Sequence, residues 1–418
     1  MRRLASLPSP RILSLALALG LSVTLLPAQP AQAAAQQIGG RFFGMTDGDP
    51  VSWPKAKVGS MRLWDSGVTW REIERAPGVF DFDRLDAQVR AARANGARAL
   101  LVLGMTPQFH STRPNSPGVY GKGSTAMPSL IPWKRYVAKV VKRYGAQLDY
   151  QIWNEANVAD FWSGSPAQMA KLTRTASQIV NRNASSARVV GPALATRLTG
   201  QRKWLRDFYA QRTGGRKVGG WIDVVSLNLY PLPQDGPESS MTLLAASRTM
   251  LRAAGVTKPI WNTEVNYGLQ TGGGGTARDI SRRKETAFVG RTYVLNAANG
   301  VKRVFWYSWQ IQTLAKVQMT KPDGVSLAPA GTAYQVVGEW LRGTRMLGCV
   351  RDRRGTYTCT VRYSGGMKRI YWNPSRQVTV KVVSSATRRE GLSGFSTDVD
   401  GGDSITVGTS PVMVRSRR

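Results

Sequence analysis

The stretch Tyr150-Gln151-Ile152-Trp153-Asn154-Glu155-Ala156-Asn157 begins apolar and aromatic and ends abruptly in polar groups. Its first half reads as a short buried strand. A carboxylate just past such a strand is a costly placement, because a desolvated carboxylate must be paired, hydrogen-bonded or neutralised. A second stretch, Pro259-Ile260-Trp261-Asn262-Thr263-Glu264, has a similar form: an apolar run, Trp-Asn, one further residue, then Glu. The likeness predicts that Glu155 and Glu264 face each other across one site.

Outward from these two stretches, apolar strand-like runs alternate with helical patterns. The runs fall at residues 41–45, 59–64, 99–104, 150–153, 188–193, 222–230, 259–263 and 303–309. Helices are expected at about 83–95, 133–144, from Ser165-Pro166 onward, near 203–211, at 239–254 and at 280–298. Strands covered on both faces, most of them separated by a helix, predict an α/β chain folded as a (β/α)8 TIM barrel over residues 38–343. An open doubly wound sheet is the alternative; it is disfavoured because no glycine-rich phosphate loop follows the first run. From about Gly343 the texture changes to period-two alternation, at 357–363 and 378–383, with glycine-rich turns such as Ser364-Gly365-Gly366. A small, β-sandwich-like antiparallel domain is expected over 344–418.

The chain has 418 residues, with 58 Lys and Arg against 25 Asp and Glu, a formal +33. Met1-Arg2-Arg3, an apolar run over 12–26 and Ala31-Gln32-Ala33 read as a cleaved secretory signal peptide over residues 1–33. A membrane anchor is disfavoured, since the run is short for a span and Pro27 and Pro30 follow it. The expected location is extracellular or at the cell wall. In an exported protein Cys349 and Cys359 are expected to pair as a disulfide. With a single His, His110, and no spaced ligand motif, neither a metal nor another cofactor is expected. Nucleic acid is not expected either, because charge is its one indicator here and no recognition motif accompanies it. For the charge surplus two readings stand: solubility, or residence on an anionic wall polysaccharide.

Paired carboxylates in related contexts point to glycoside hydrolysis, which uses one protonated and one ionised carboxyl. Aromatic rings suit the apolar faces of sugars, so Trp64, Trp162, Trp306 and Trp309 are candidate substrate platforms, whereas Trp153 is assigned to packing. The long polar loop 106–129 carries His110, a candidate substrate contact.

Trp153-Asn154-Glu155 and Trp261-Asn262-Thr263-Glu264 resemble the acid/base and nucleophile motifs of the clan-A retaining glycoside hydrolases. Met61-Arg62-Leu63-Trp64-Asp65-Ser66-Gly67-Val68-Thr69-Trp70 is similar to the family-39-like group, which includes β-xylosidases, α-L-iduronidases and bacterial exopolysaccharide hydrolases. The resemblance covers about residues 40–345. It implies Glu155 as acid/base, Glu264 as nucleophile, Asn154 at the sugar 2-hydroxyl, Tyr230 orienting Glu264 or donating to it, and Arg62 helping to keep Glu264 ionised. Family members often carry His two residues before the strand-six Tyr; that position is Asn228 here, so the sugar contact or the pH profile is expected to differ. Taken together, the sequence is read as an exported, monomeric, retaining O-glycosidase acting on a cell-wall or extracellular polysaccharide, with anionic polymers to be tested first. The competing reading is a basic, non-catalytic polysaccharide-binding or wall-associated protein on the same scaffold.

Overall fold

Strands buried along both faces form the centre of the molecule in the computed structural model, which describes residues 35–269, 277–309 and 316–417. The expected signal peptide and the glycine-rich loop 271–275 lie outside the described residues. The parallel strands are β1 Phe43–Thr46, β2 Ser60–Leu63, β3 Arg98–Leu103 and β4 Leu148–Ile152. Next comes β5, in two pieces, Val189–Val190 and Leu194–Ala195. Strands β6 Val225–Asn228, β7 Ile260–Val265 and β8 Arg303–Trp306 complete the set.

Their pairing runs from the first piece of β5 through β4, β3, β2, β1, β8, β7 and β6 to the second piece of β5. One strand therefore stands at both ends of the order, and the sheet closes on itself. The Gly191 N–H donating to Val224 O at 2.9 Å helps to seal that seam. The sequence led to an unbroken fifth strand. Pro192, which has no N–H to give a ladder, sits at the break between its two pieces. The first strand also begins later than expected, because residues Gly40–Phe42 form a 3-10 turn. Gly59 accommodates that turn: a Cβ there would lie 2.0 Å from Gly40 O.

Helices follow every strand but the first: α1 Asp83–Ala94, α2 Leu130–Tyr144, α3 Pro166–Asn183, α4 Thr199–Ala210, α5 Pro237–Ala253, α6 Arg282–Ala298 and α7 Pro329–Leu341. Helix α3 starts as its sequence predicts. Ser165 Oγ accepts from Gln168 N at 3.2 Å, Gln168 Oε1 accepts from Ser165 N at 2.8 Å, and Pro166 opens the first turn. Helix α2 begins at Leu130, three residues before the expected start.

Beyond the barrel lie the antiparallel strands β9 Thr344–Arg351, β10 Tyr357–Tyr363, β11 Gly366–Trp372, β12 Val378–Lys381, β13 Ala386–Gly391, β14 Ser396–Asp398, β15 Ser404–Val407 and β16 Val412–Ser416. Cys349 and Cys359 are disulfide-bonded between β9 and β10. The short strand Gln36–Ile38 joins this sheet at the edge of β9, ahead of the barrel in sequence but outside it in space. Met346, Val361, Ile370 and Trp372 belong to the same buried cluster as the barrel residues, so one core serves both layers.

The N-terminal pole of the barrel is closed by an ion cluster. Asp149 accepts from Arg98 Nη2 at 2.7 Å and from Arg303 Nη1 at 2.9 Å, which ties β4 to β3 and β8. Burial pushes the Asp149 carboxyl up, but the bonds and charges of Arg98 and Arg303 outweigh it and leave it below its ordinary value. Its stabilisation is thus present above the free carboxylate range and lost as pH falls through it. We predict that Asp149→Asn costs about 3–5 kcal/mol at pH 7 by leaving two cations unpaired. In denaturant titrations that gap should close toward pH 3; a gap independent of pH would refute the assignment.

Candidate active site

The C-terminal ends of the strands carry an unusual backbone. Asp65 after β2, Met105 after β3, and Trp153 and Glu155 after β4 have φ of 55°, 64°, 69° and 42°. Left-handed conformations at non-glycine residues cost on the order of 1–3 kcal/mol each and persist where surrounding structure over-determines them. Here they turn the chain sharply as it leaves the barrel, so that Asn154 and Glu155 stay over the barrel mouth.

Arg62 of β2 is the hub. Its guanidinium is fully buried and donates through Nε to Gln151 Oε1 at 2.7 Å, through Nη2 to Asn154 Oδ1 at 2.8 Å, and through Nη1 to Glu264 Oε1. One cation thereby joins β2, β4 and β7. From Gln151 a chain of hydrogen bonds crosses the interior. Gln151 Nε2 donates to Ser226 Oγ at 2.5 Å, Ser226 Oγ meets Thr263 Oγ1 at 2.6 Å, and Thr263 Oγ1 donates to Asn228 Oδ1 at 2.8 Å. Asn228 Nδ2 then donates to Glu155 Oε1 at 3.2 Å. Tyr230 donates its hydroxyl to Glu264 Oε2 at 3.2 Å. The two carboxylates are therefore ends of one polar network, and Asn228 occupies it as a partner of Glu155.

Glu155 is 8% and Glu264 5% exposed. Desolvation raises Glu155, with Asn228, Arg62 and Arg197 pulling it down and Asp65 pushing it up. Desolvation also pushes Glu264 up to about 8, with Glu155 and Asp65 adding to the rise. Arg62 opposes that rise, as a neighbouring cation must, but burial outweighs it. Arg62 thus pulls this carboxyl down without offsetting its burial.

Several partners had no distinct signal in sequence. Asp65, on its left-handed bend, accepts from Tyr307 at 2.8 Å and from Tyr120. It thus pins the long loop after β3 to the end of β8. Arg197, beyond β5, lines a small pocket together with Glu155, Asn228 and Tyr230. Gln151, Ser226 and Thr263 read in sequence as interchangeable polar residues within apolar runs. Their pairing becomes visible only when strands four, six and seven close around one barrel interior.

Other expected contacts fall elsewhere. Trp306 and Trp309 are fully buried, Trp306 against Tyr267 and Tyr293 and Trp309 against Tyr334. They pack the core and offer no face to a sugar. Trp162 is 3% exposed and packs edge-on against Trp153. Trp64 is 2% exposed beneath Tyr120 and Phe161. Neither has the open ring of a platform. His110 is bonded to the fully buried Glu74 at 3.0 Å and stacks on Trp70, so its ring anchors the long loop. Glu74 also accepts from Trp70, Gly78 and Arg135 at 2.7, 2.8 and 2.9 Å. Among the described residues no group of three metal-ligating side chains forms a candidate metal site.

Known proteins resemble the chain in part of its sequence and in its fold. Residues 138–334 match the family model described as glycosyl hydrolase catalytic core. No curated protein sequence matches the chain. The fold is similar to that of a family 39 glycoside hydrolase from the gut symbiont Bacteroides cellulosilyticus WH2: TM-score 0.69, 17% identity, 91% of this chain and 82% of that one covered. It is likewise similar to a GH39 β-xylosidase from Caulobacter crescentus, with TM-score 0.66, 16% identity and coverage of 92% and 98%. A glucosidase from Croceicoccus marinus follows with TM-score 0.64, 14% identity and coverage of 93% and 97%. Residues 138–334 are thus similar to a glycosyl hydrolase catalytic core, which supports the glycosidase class, and the solved structures share the fold.

An acid whose carboxyl is raised on folding loses stability as pH climbs from its free range toward its folded value. Glu155→Gln removes that loss and keeps an acceptor for Asn228. Its melting temperature should therefore exceed that of the unchanged chain by more at pH 7 than at pH 4. Equal differences at the two pH values would show that Glu155 is not raised.

Proposed function

We propose that the chain is a retaining glycosidase in which Glu264 is the nucleophile and Glu155 the acid/base. The observation that carries the reading is the shared cation: Arg62 binds Glu264 and Asn154 at once, so the carboxylate of β7 and the Asn-Glu pair after β4 converge on one guanidinium. Two neighbouring carboxyls raised by burial titrate as a pair and hold one proton between them over a range of pH. That proton settles on Glu155, which has a neutral amide donor from Asn228. Glu264, facing a cation and a phenol, takes the charge.

The reaction follows from this asymmetry. Glu264 attacks the anomeric carbon while Glu155 gives its proton to the leaving oxygen. Glu155, now ionised, takes a proton from water, and the hydroxide formed releases the sugar from Glu264. Asn154, its oxygen held by Arg62, keeps its amide N–H groups for the sugar 2-hydroxyl. Tyr230 orients Glu264, and burial holds its phenol protonated through the cycle.

The substrate is a cell-wall or extracellular polysaccharide and the enzyme is exported. The disulfide supports the export reading. Among the described residues no helix is long and apolar enough to cross a membrane. We carry over the monomeric state as a proposal, alongside a similar structure described as a monomeric β-xylosidase.

A 2-fluoro glycosyl fluoride, which accumulates the covalent intermediate, should add its mass to the peptide containing Glu264. Label on another residue, or full activity of Glu264→Gln, would overturn the assignment. Glu155→Gln should lower kcat about 10²–10⁴-fold on glycosides with poor leaving groups and abolish the alkaline limb of the pH profile. Arg62→Lys, which exchanges a fork of three bonds for a point charge, should lower kcat about 10²–10³-fold. If it leaves kcat and the acidic limb untouched, Arg62 does not set the charge on Glu264.

A further inference from the structure

The carboxylate site uses little of the chain's positive surplus. Part of it lies in register on one face of the C-terminal sheet. Arg345 of β9 stands directly opposite Arg362 of β10, with Gln37 and Met367 continuing the row on either side. The next row on the same face is Gly348, Thr360 and Arg369. A third row holds Val350, Thr358 and Tyr371. Residues two apart along β10 and β11 share a face, and the bulge between Met346 and Gly348 keeps β9 in step with them, so these rows form one surface.

The three rows contain no Asp or Glu. Arg345 and Arg362 are exposed; Arg369 is half-buried and donates to Ser416 Oγ at 3.1 Å. Among the described residues, the ion pair within this C-terminal region joins Arg354 and Asp352, away from these rows. Like charges directly opposite each other destabilise a strand pair. An anionic polymer lying across the face turns that repulsion into binding, since each guanidinium matches a carboxylate or phosphate in a two-bond fork.

We propose that this face docks a linear anionic polysaccharide, bearing carboxylates or phosphates, and holds the enzyme on its polymer while the carboxylate pair acts. The choice of a glycan rests on the glycosidase reading; the basic face itself does not. The face is a sheet surface whose far edge runs into the second buried cluster, where its aromatic ring, Tyr371, is buried. It therefore lacks the stacking platforms of single-strand nucleic-acid binders and the protruding helix or ribbon that enters a duplex groove. Threonine hydroxyls between the arginines suit a chain of hydroxyls interrupted by charges.

The test uses the exported chain in gels containing polygalacturonate, poly(glycerol phosphate) or neutral xylan. Retardation by one or both polyanions and not by xylan is expected, and it should weaken with salt. Which polyanion retards identifies carboxylate or phosphate as the partner. Arg345→Gln/Arg362→Gln/Arg369→Gln should weaken retention about tenfold or more, whereas the matching triple Lys variant retains most of it. Hydrolysis of a small aryl glycoside should be unchanged in both. Retention of the triple Gln variant equal to that of the unchanged chain, or equal retention on xylan, would overturn the proposal. So would a tighter complex with duplex DNA that depends on the same arginines. Should the triple Gln variant fail to fold, Arg362→Gln alone must weaken retention about threefold or the proposal fails. If the unchanged chain hydrolyses no glycoside, the glycosidase reading falls while the retention result stands by itself.

Discussion

A buried guanidinium is stable only if each of its edges finds an acceptor, and that requirement organises this barrel. Arg62 is fully buried. Its three bonds reach across the barrel to a carboxylate on β7 and to two amide oxygens on and just after β4. Replacing such a group by apolar side chains is often neutral or stabilising, so its presence is weak evidence for stability. What it supplies is position and asymmetry. The carboxyl that touches it is pulled down by the cation, and in the proposed mechanism the other keeps the proton.

The two poles of the barrel treat charge in opposite ways. At the N-terminal pole Asp149 lies between two arginines and ends below its ordinary value. At the C-terminal pole Glu155 and Glu264 are raised, with Asp65 beside them adding a third acid to the group. The first arrangement holds strands together. The second keeps carboxyls raised by burial, and stability suffers for it. The non-glycine left-handed residues among those described fall at this same pole. The division matches the general separation of stability and chemistry between the two ends of such barrels.

The misplaced tryptophans show where pattern reading stops. Trp306 and Trp309 end an apolar run at the catalytic pole, a position that suits either a platform or the core. Alternation along a strand gives the face only when the strand has one solvated side, and β8 is buried throughout. His110 posed the same problem. Its loop is polar and long, yet Glu74, distant in sequence, pulls the ring inward. Asp65 gave no signal because its partners, Tyr120 and Tyr307, lie on separate loops.

The sequence by itself determined the barrel, the place of the two glutamates at strand ends and the change to an antiparallel texture after residue 343. Each is a local property: runs buried on both faces, a carboxylate after an apolar run, period-two alternation. Only the tertiary structure decided which polar residues meet across the interior and how burial weighs against Arg62 at Glu264. It also showed that Arg345 faces Arg362, and that the strand Gln36–Ile38 belongs to the far sheet. Those depend on strand register and neighbour order, and pairings between segments tens to hundreds of residues apart leave no trace in a single sequence.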